Sequence, residues 1–240
     1  MNYGILYGVG TGPGDPDLLT LKAVKVLSLV DRVYAARSSK NTHSVSHGIV
    51  KPHLRQGVDV QSLPFPMTSD REALNEAWTA NAKRVLADLR QGLNVAFLTL
   101  GDPMTYSTFG YLWRTLGQLD PEAPVEVVPG ITSYCAAAAA SGTILVEAEE
   151  TLAVVSGARG GENLRKAAQV ADSVVVLKAY KQFDDIQQSL ADLGMLEHSV
   201  LISNCGQAGE RIAQDCSASG DDPQYFSLVL ARKSPTTGNI

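Results

Sequence analysis

Glycine and proline gather at three points of this 240-residue chain, and at each an apolar run gives way to polar residues. They are Gly8-Val9-Gly10-Thr11-Gly12-Pro13-Gly14-Asp15-Pro16, then Leu100-Gly101-Asp102-Pro103, then Val128-Pro129-Gly130-Ile131-Thr132-Ser133. Glycine has no Cβ, so a strand that ends in glycines lets a ligand approach bare backbone. In open α/β sheets ligands collect at that carboxyl end. Thr132 and Ser133 offer hydroxyls and the N–H groups of a helix start to a carboxylate. Asp102 is the candidate catalytic residue, placed to meet a ligand's ammonium or to orient the site. Together the three ends point to a small-molecule enzyme with a two-part cleft.

Other chemistries fit less well. The first loop follows a strand and opens a helix, as a dinucleotide fingerprint does. The G-x-G-x-x-G spacing, however, puts Pro13 or Asp15 where its last glycine belongs, and the second strand closes on Ala35-Ala36-Arg37 without the ribose-binding acid. His43 and His47 have the i,i+4 spacing of helical metal ligands but lack a third partner, so no metal site is expected. Glu149-Glu150 and Asp184-Asp185 read as solvated charge, and Trp78 and Trp113 as packing. There is no Gly-x-Ser-x-Gly elbow, Walker loop or Cys–His nucleophile pattern.

The elements that must position these residues follow from periodicity. Apolar runs over 5–9, 32–36, 58–63 and 94–100 alternate with helical patterns over 16–30, 47–56, 70–91 and 108–119. Such alternation predicts a parallel sheet. Asp15-Pro16 suits a helix start, with Thr20 as a later cap. The Gly117–Pro124 stretch reads as a linker. A second series follows it: strands over 125–128, 152–156, 173–177, 200–204 and 225–232, and helices over 132–140, 162–171 and 184–193. The expected architecture is two tandem α/β domains, residues 1–120 and 121–240.

Composition sets outer bounds. Hydrophobic content of 45% and charged content of 19% are ordinary for a folded domain, and the net charge of −5 argues against a nucleic-acid partner. Three cysteines without CxxC spacing suit a reduced compartment. No apolar run reaches the ~18 residues of a membrane span, and the first residues lack a signal peptide's basic and apolar regions. A cytoplasmic protein without a membrane partner is expected.

Taken together, GxGxGPGDPxLLTxxA at the start, Gly101-Asp102-Pro103 after the middle strand and Val128-Pro129-Gly130-Ile131-Thr132-Ser133 resemble the tetrapyrrole methylase family. The resemblance runs from Tyr3 to about Lys233. Phe65-Pro66-Met67, the Met104–Thr108 stretch, Leu177-Lys178-Ala179-Tyr180 and Tyr225-Phe226-Ser227 are similar to the branch that methylates the C-20 meso carbon of precorrin-2 or cobalt-factor II.

The resemblance implies a parallel sheet in the first domain, a mixed sheet in the second and S-adenosyl-L-methionine bound in the cleft between them. Matching positions make Pro13, Leu100, Gly101, Asp102, Thr105, Thr132, Ser133, Leu177, Lys178 and Cys205 the expected donor-binding residues. The substrate is a tetrapyrrole with eight carboxylates, for which Gly12, Gly14, Arg37, Ser38, Ser39 and Lys40 are the candidates. Cobalt-factor II is expected over precorrin-2, with any cobalt arriving inside the substrate. A homodimer is implied, and the long apolar stripe of Ala73–Leu89 suits one. Two departures stand out: Ala36 replaces a frequent proline, and Cys205 replaces a glycine common in uroporphyrinogen methylases. A same-fold methylase of RNA or protein and a non-catalytic donor sensor stay open as rival readings.

Overall fold

The computed structural model describes residues 3–37, 44–218 and 223–233. Ser38, Ser39, Lys40 and His43 lie outside them. The chain divides into two compact units, Met1–Thr132 and Ser133–Ile240.

The first unit runs β1 (Leu6–Gly10), α1 (Leu21–Leu29), β2 (Arg32–Arg37), α2 (Val45–Val50), β3 (Asp59–Pro64), α3 (Arg71–Arg90), β4 (Val95–Thr99), α4 (Phe109–Leu119) and β5 (Val125–Val128). Its strands are all parallel, in the order β3-β2-β4-β1-β5. Caps start the helices where the sequence offers them. Asp15 accepts from the Asp17 N–H at 2.9 Å and opens a short 3-10 turn. Thr20 then accepts from Ala23 N–H at 3.1 Å and opens α1, and Asp70 does the same for α3.

Alternation along the strands sends apolar residues to both faces. Val9, Val33, Ala96, Leu98 and Val128 pack with Ala23, Val26 and Leu27 of α1. Leu6, Tyr34, Val95 and Phe97 pack with Val85 and Leu89 of α3 and Phe109 and Leu112 of α4. A sheet covered on both sides explains why β4 is buried throughout. Gly8 sits opposite Phe109, whose ring occupies the space a Cβ would take.

The second unit runs α5 (Ser133–Ser141), β6 (Leu152–Ser156), α6 (Glu162–Ala167), β7 (Ser173–Leu177), α7 (Phe183–Asp192), β8 (Ser199–Ser203), β9 (Arg211–Ala213) and β10 (Ser227–Arg232). Its sheet is mixed, in the order β6-β7-β10-β8-β9. β6 and β7 are parallel, while β10 inserts antiparallel to both β7 and β8. Val174, Val176 and Val229 pack with Leu164, Ile186 and Leu190. Val175, Leu228 and Leu230 face the alanine-rich α5 through Ala137.

The expected boundary at 120/121 needs correction. Val125–Val128 does not open the second sheet; it pairs with β1 as the edge of the first, Leu6 opposite Val125 and Val9 opposite Val128. The 117–124 stretch is therefore a helix exit held in place: Tyr3 OH and Arg90 donate to Asp120 Oδ2, each at 2.7 Å. β9 escaped the sequence reading because its three residues are too short for a period. Trp113, read as packing, sets its ring against Phe109 but is 38% exposed. Among the described residues no helix is long and apolar enough to cross a membrane.

At the amino end of the first sheet a buried carboxylate holds β2 to α3. Asp88 is 4% exposed; it accepts from Tyr34 OH at 2.8 Å and from the Arg32 guanidinium. Burial, and then the Asp88 carboxylate, push the Tyr34 hydroxyl above its usual range. Replacing Asp88 with alanine strands the buried Tyr34 hydroxyl, while Arg32 keeps Asp59, to which its Nε donates at 2.9 Å. Chemical denaturation of Asp88→Ala should show a loss of about 1–3 kcal/mol; a variant as stable as the parent would mean that water replaces the carboxylate.

Candidate functional site

In the first sheet β1 and β4 are neighbours, yet the chain leaves them in opposite directions, β1 towards β2 and β4 towards β5. Their carboxyl ends form the switch point at which open sheets bind ligands. Here the three glycine motifs converge. Thr11 N–H and hydroxyl both donate to Thr99 O, at 2.9 and 3.0 Å. Gly101 N–H donates to Gly12 O at 2.7 Å, and Gly12 N–H donates back to Gly101 O at 3.3 Å. Gly12 and Gly101 have φ of 71° and 72°, a left-handed conformation that glycine adopts without strain.

The third loop closes on the other two. A Cβ at Gly10 would lie 2.5 Å from Gly130 N and 2.7 Å from Gly101 O. A Cβ at Gly130 would overlap Gly101 O and stand 2.8 Å from Gly10 Cα. Neither position accepts a side chain, because the neighbours are backbone.

Asp102 ties this arrangement together. Its Oδ1 accepts from Met104 N–H at 2.8 Å and from the Thr105 hydroxyl at 3.5 Å. Its Oδ2 accepts from Gly130 N–H at 3.1 Å. The carboxylate thus caps its own loop and clasps the turn after β5. Pro13 is buried behind the first loop and Gly14 half-buried beside it, while Leu100 and Thr105 are half-buried at the end of β4. Thr132 closes the unit, and Arg37 ends β2 exposed, its carbonyl accepting from Phe65 N–H at 2.9 Å.

In the second unit the carboxyl ends of β7 and β8 share one edge, because both run antiparallel to β10. Leu177 ends β7 and Lys178 follows it, while Asn204 and Cys205 follow β8. Lys178 and Asn204 have φ of 59° and 53°. The start of β10 pins both turns: Ala179 N–H donates to Ser227 O at 3.0 Å, Asn204 N–H donates to Phe226 O at 2.9 Å, and the Ser203 and Ser227 hydroxyls bond at 2.6 Å. Ser133 is the first residue of α5. Burial, and then Glu210, push the Cys205 thiol up to about 11. It is a neutral packing group.

The structure therefore gathers Gly12, Pro13, Gly14, Leu100, Gly101, Asp102, Thr105 and Thr132 at one end of the first unit. It sets Leu177, Lys178 and Cys205 along one edge of the second. What sequence reasoning missed is the mutual crowding of Gly10, Gly101 and Gly130, the left-handed Tyr106 (φ 51°) and the role of Phe226 and Ser227 in pinning the second edge. The glycine spacing carried a signal for the first; the other two fall in stretches that the resemblance singled out, but residue type gives neither the left-handed turn nor the backbone pairing. Of the acidic pairs read as solvated charge, Glu149 and Asp184 are exposed, whereas Glu150 and Asp185 are ion-paired: Arg232 binds both Glu150 oxygens at 2.8 Å, and Arg165 binds Asp185 at 2.5 Å. Among the described residues no group of three or more His, Cys, Asp or Glu could hold a metal ion.

A family model described as Tetrapyrrole (Corrin/Porphyrin) Methylases matches residues 5–217. The chain is 35% identical to a cobalt-precorrin-2 C(20)-methyltransferase of Salmonella typhimurium, over 96% of this chain and 97% of that one. It is 32% identical to a precorrin-2 C(20)-methyltransferase of Sinorhizobium sp, over 95% and 94%. Among solved structures it is similar to a uroporphyrin-III C-methyltransferase from Thermus thermophilus complexed with S-adenosylhomocysteine. The TM-score is 0.68 and the identity 26%, over 96% of this chain and 98% of that one.

Asp102→Ala removes the acceptor of the Met104 and Gly130 amides. It should cost about 1–3 kcal/mol in urea unfolding, and an unchanged midpoint would show that the clasp is dispensable. Thiol labelling at pH 7 should modify the exposed Cys135 rapidly and leave Cys205 and Cys216 unreacted in the native protein. Burial pushes the Cys216 thiol up to about 11 as well, so equal rates at all three thiols would contradict this geometry.

Proposed function

The chain belongs to the tetrapyrrole methylase family, and from that premise we propose that it transfers a methyl group from S-adenosyl-L-methionine to the C-20 meso carbon of a precorrin-2-type macrocycle, in cobalamin biosynthesis. The observation that carries this reading is the convergence of three glycine loops on the β1–β4 switch point. A bare-backbone cradle clasped by Asp102 fits a zwitterionic donor better than it fits proton chemistry.

Donor-binding residues in this reading are Pro13, Leu100, Gly101, Asp102, Thr105 and Thr132 of the first unit. From the second come Ser133, Leu177, Lys178 and Cys205, the last three through main chain. Lys178 directly follows β7 in a left-handed turn, and the contact proposed there is by its backbone. Both Asp102 oxygens already accept backbone N–H groups, so we assign it the orientation of the loops that meet the donor. Gly12, Gly14 and Arg37 serve the macrocycle, and Ser38, Ser39 and Lys40 are proposed with them from sequence alone.

The bound donor supplies an electrophilic methyl. Its S–CH3 bond breaks as the C-20–CH3 bond forms, S-adenosylhomocysteine leaves and the C-20 hydrogen departs as a proton. The chain's task is to hold two large molecules in line, which is worth roughly 7–11 kcal/mol of the barrier. The lack of a nucleophile motif accords with that.

We favour the cobalt-loaded substrate, cobalt-factor II, over metal-free precorrin-2; the named relatives include both kinds. We also propose a homodimer, supported by Tyr111, Trp113 and Leu119 of α4, which are 40, 38 and 36% exposed. Three free cysteines fit a cytoplasmic setting.

Incubation with methyl-labelled donor and each substrate in competition should give one added methyl at C-20, with the cobalt form consumed faster. Methylation at a pyrrole carbon would overturn the regiochemistry, and faster turnover of the metal-free form only the cobalt preference. Light scattering at micromolar concentration should give twice the 25.5 kDa chain mass; the single mass would exclude the dimer.

A further inference from the structure

The edge of the second sheet where β6 and β7 end and β10 begins carries aromatic rings outside the donor residues. Tyr180 lies in the turn after β7, and Tyr225 just before β10. Their ring centroids are 5.1 Å apart, and Phe226 meets Tyr225 edge-on at 4.9 Å. The Lys181 ammonium stands 5.8 Å from the centre of the Tyr180 ring. Ala179 is buried and donates its N–H to Ser227 O at 3.0 Å, which ties the two segments together. Tyr225 is thus held by two neighbouring rings and still leaves 49% of its surface open. A tyrosine already fixed in place loses little freedom when a flat molecule covers it.

The loop after β6, on the far side of β7, is also tightly constrained. A Cβ at Gly161 would overlap Ser189 Oγ, and one at Gly160, where φ is 86°, would overlap the Asp185 carboxylate. Asp185 fixes the loop by accepting from Gly161 N–H at 2.8 Å. Arg159 is exposed at the turn of this loop, with Glu162 as its acidic neighbour. Adjacent strands lie about 4.8 Å apart, so β6 and β10, on either side of β7, are roughly 10 Å apart. The edge therefore combines an aromatic surface with two cationic side chains, Lys181 and Arg159.

That combination suits a broad conjugated ring with acids on its rim. The methyl donor matches it poorly, because its sulfonium gives it a net positive charge. We propose that Tyr225, backed by Tyr180, is a specificity-determining residue that packs against the flat face of the macrocycle, while Arg159 meets carboxylates on its rim. This inference rests on the functional reading above, in which the donor meets the same edge through main chain.

Binding of uroporphyrin III, a stable macrocycle with eight carboxylates, is read from its visible absorption band, and donor binding from calorimetry with S-adenosylhomocysteine. Tyr225→Ala should weaken uroporphyrin binding, and raise the KM for precorrin-2, about tenfold, the scale of one aromatic contact. Tyr225→Phe should bind uroporphyrin as the parent does, because the ring and not the hydroxyl makes the contact. Arg159→Gln should weaken uroporphyrin binding about fivefold at low salt, and added salt should narrow that difference. S-adenosylhomocysteine affinity should stay at the parent's value in all three. Should Tyr225→Ala fail to fold, the exposed Arg159 and the Tyr225→Phe variant carry the test. Uroporphyrin affinity equal to the parent's in Arg159→Gln or in folded Tyr225→Ala overturns the proposal, as does a parallel loss of S-adenosylhomocysteine binding. If the parent binds uroporphyrin but methylates neither substrate, the functional reading fails while the aromatic edge stands or falls on the binding data. If the parent methylates C-20 but the variants leave the KM for precorrin-2 unchanged, the functional reading stands and this proposal fails.

Discussion

The constraint on which the first unit depends is the closeness of three backbones. Gly10, Gly101 and Gly130 approach one another so tightly that a Cβ on Gly10 or Gly130 would strike main chain. Main chain cannot swing aside as a flexible side chain can, so these positions are closed to every other residue. The closeness also has to be held, because loops that leave three different strands would otherwise move apart. The Asp102 carboxylate does this with one oxygen for its own turn and the other for Gly130. A charged acceptor makes stronger hydrogen bonds than a neutral one, and that suits a clasp on exposed loops.

The second unit meets a similar demand by different means. Lys178 and Asn204 take left-handed turns without glycine, at the ends of two strands that do not pair with each other. β10 lies between those strands, and its first residues accept the amide of Ala179 on one side and of Asn204 on the other. An antiparallel strand inserted between parallel neighbours presents its starting residues at their carboxyl ends. The mixed sheet is therefore the device that fixes this edge, as the glycine packing is in the first unit.

Much of this was legible in the sequence because it is written in local chemistry. The alternation of apolar runs with helical periods identified every strand of the first sheet, and Thr20 and Asp70 stand at helix starts as their types predict. Pairing was not legible. Val125–Val128 looks the same whether it opens a second sheet or closes the first, and only its register against Leu6–Val9 decides. Nor does residue type announce left-handed backbone when the residue is Tyr or Lys. The candidate donor residues were found as motifs. What their neighbours do, above all the engagement of both Asp102 oxygens by amides, needed the fold.

The two ends of the first sheet show how charge and bare backbone are divided. At the amino end carboxylates are occupied by cations and hydroxyls: Asp88 by Arg32 and Tyr34, Asp120 by Arg90 and Tyr3. Hydrogen bonds from Arg90 and then Tyr3 hold the Asp120 carboxyl below the usual carboxylate range. At the carboxyl end the polar groups are peptide units, with Asp102 as their clasp. Methyl transfer from a sulfonium to an electron-rich carbon asks for little proton traffic and for strict alignment. In the proposed reading a cradle of backbone, with the ionic fastenings kept at the opposite end of the sheet, meets that requirement without placing a competing nucleophile beside the methyl group.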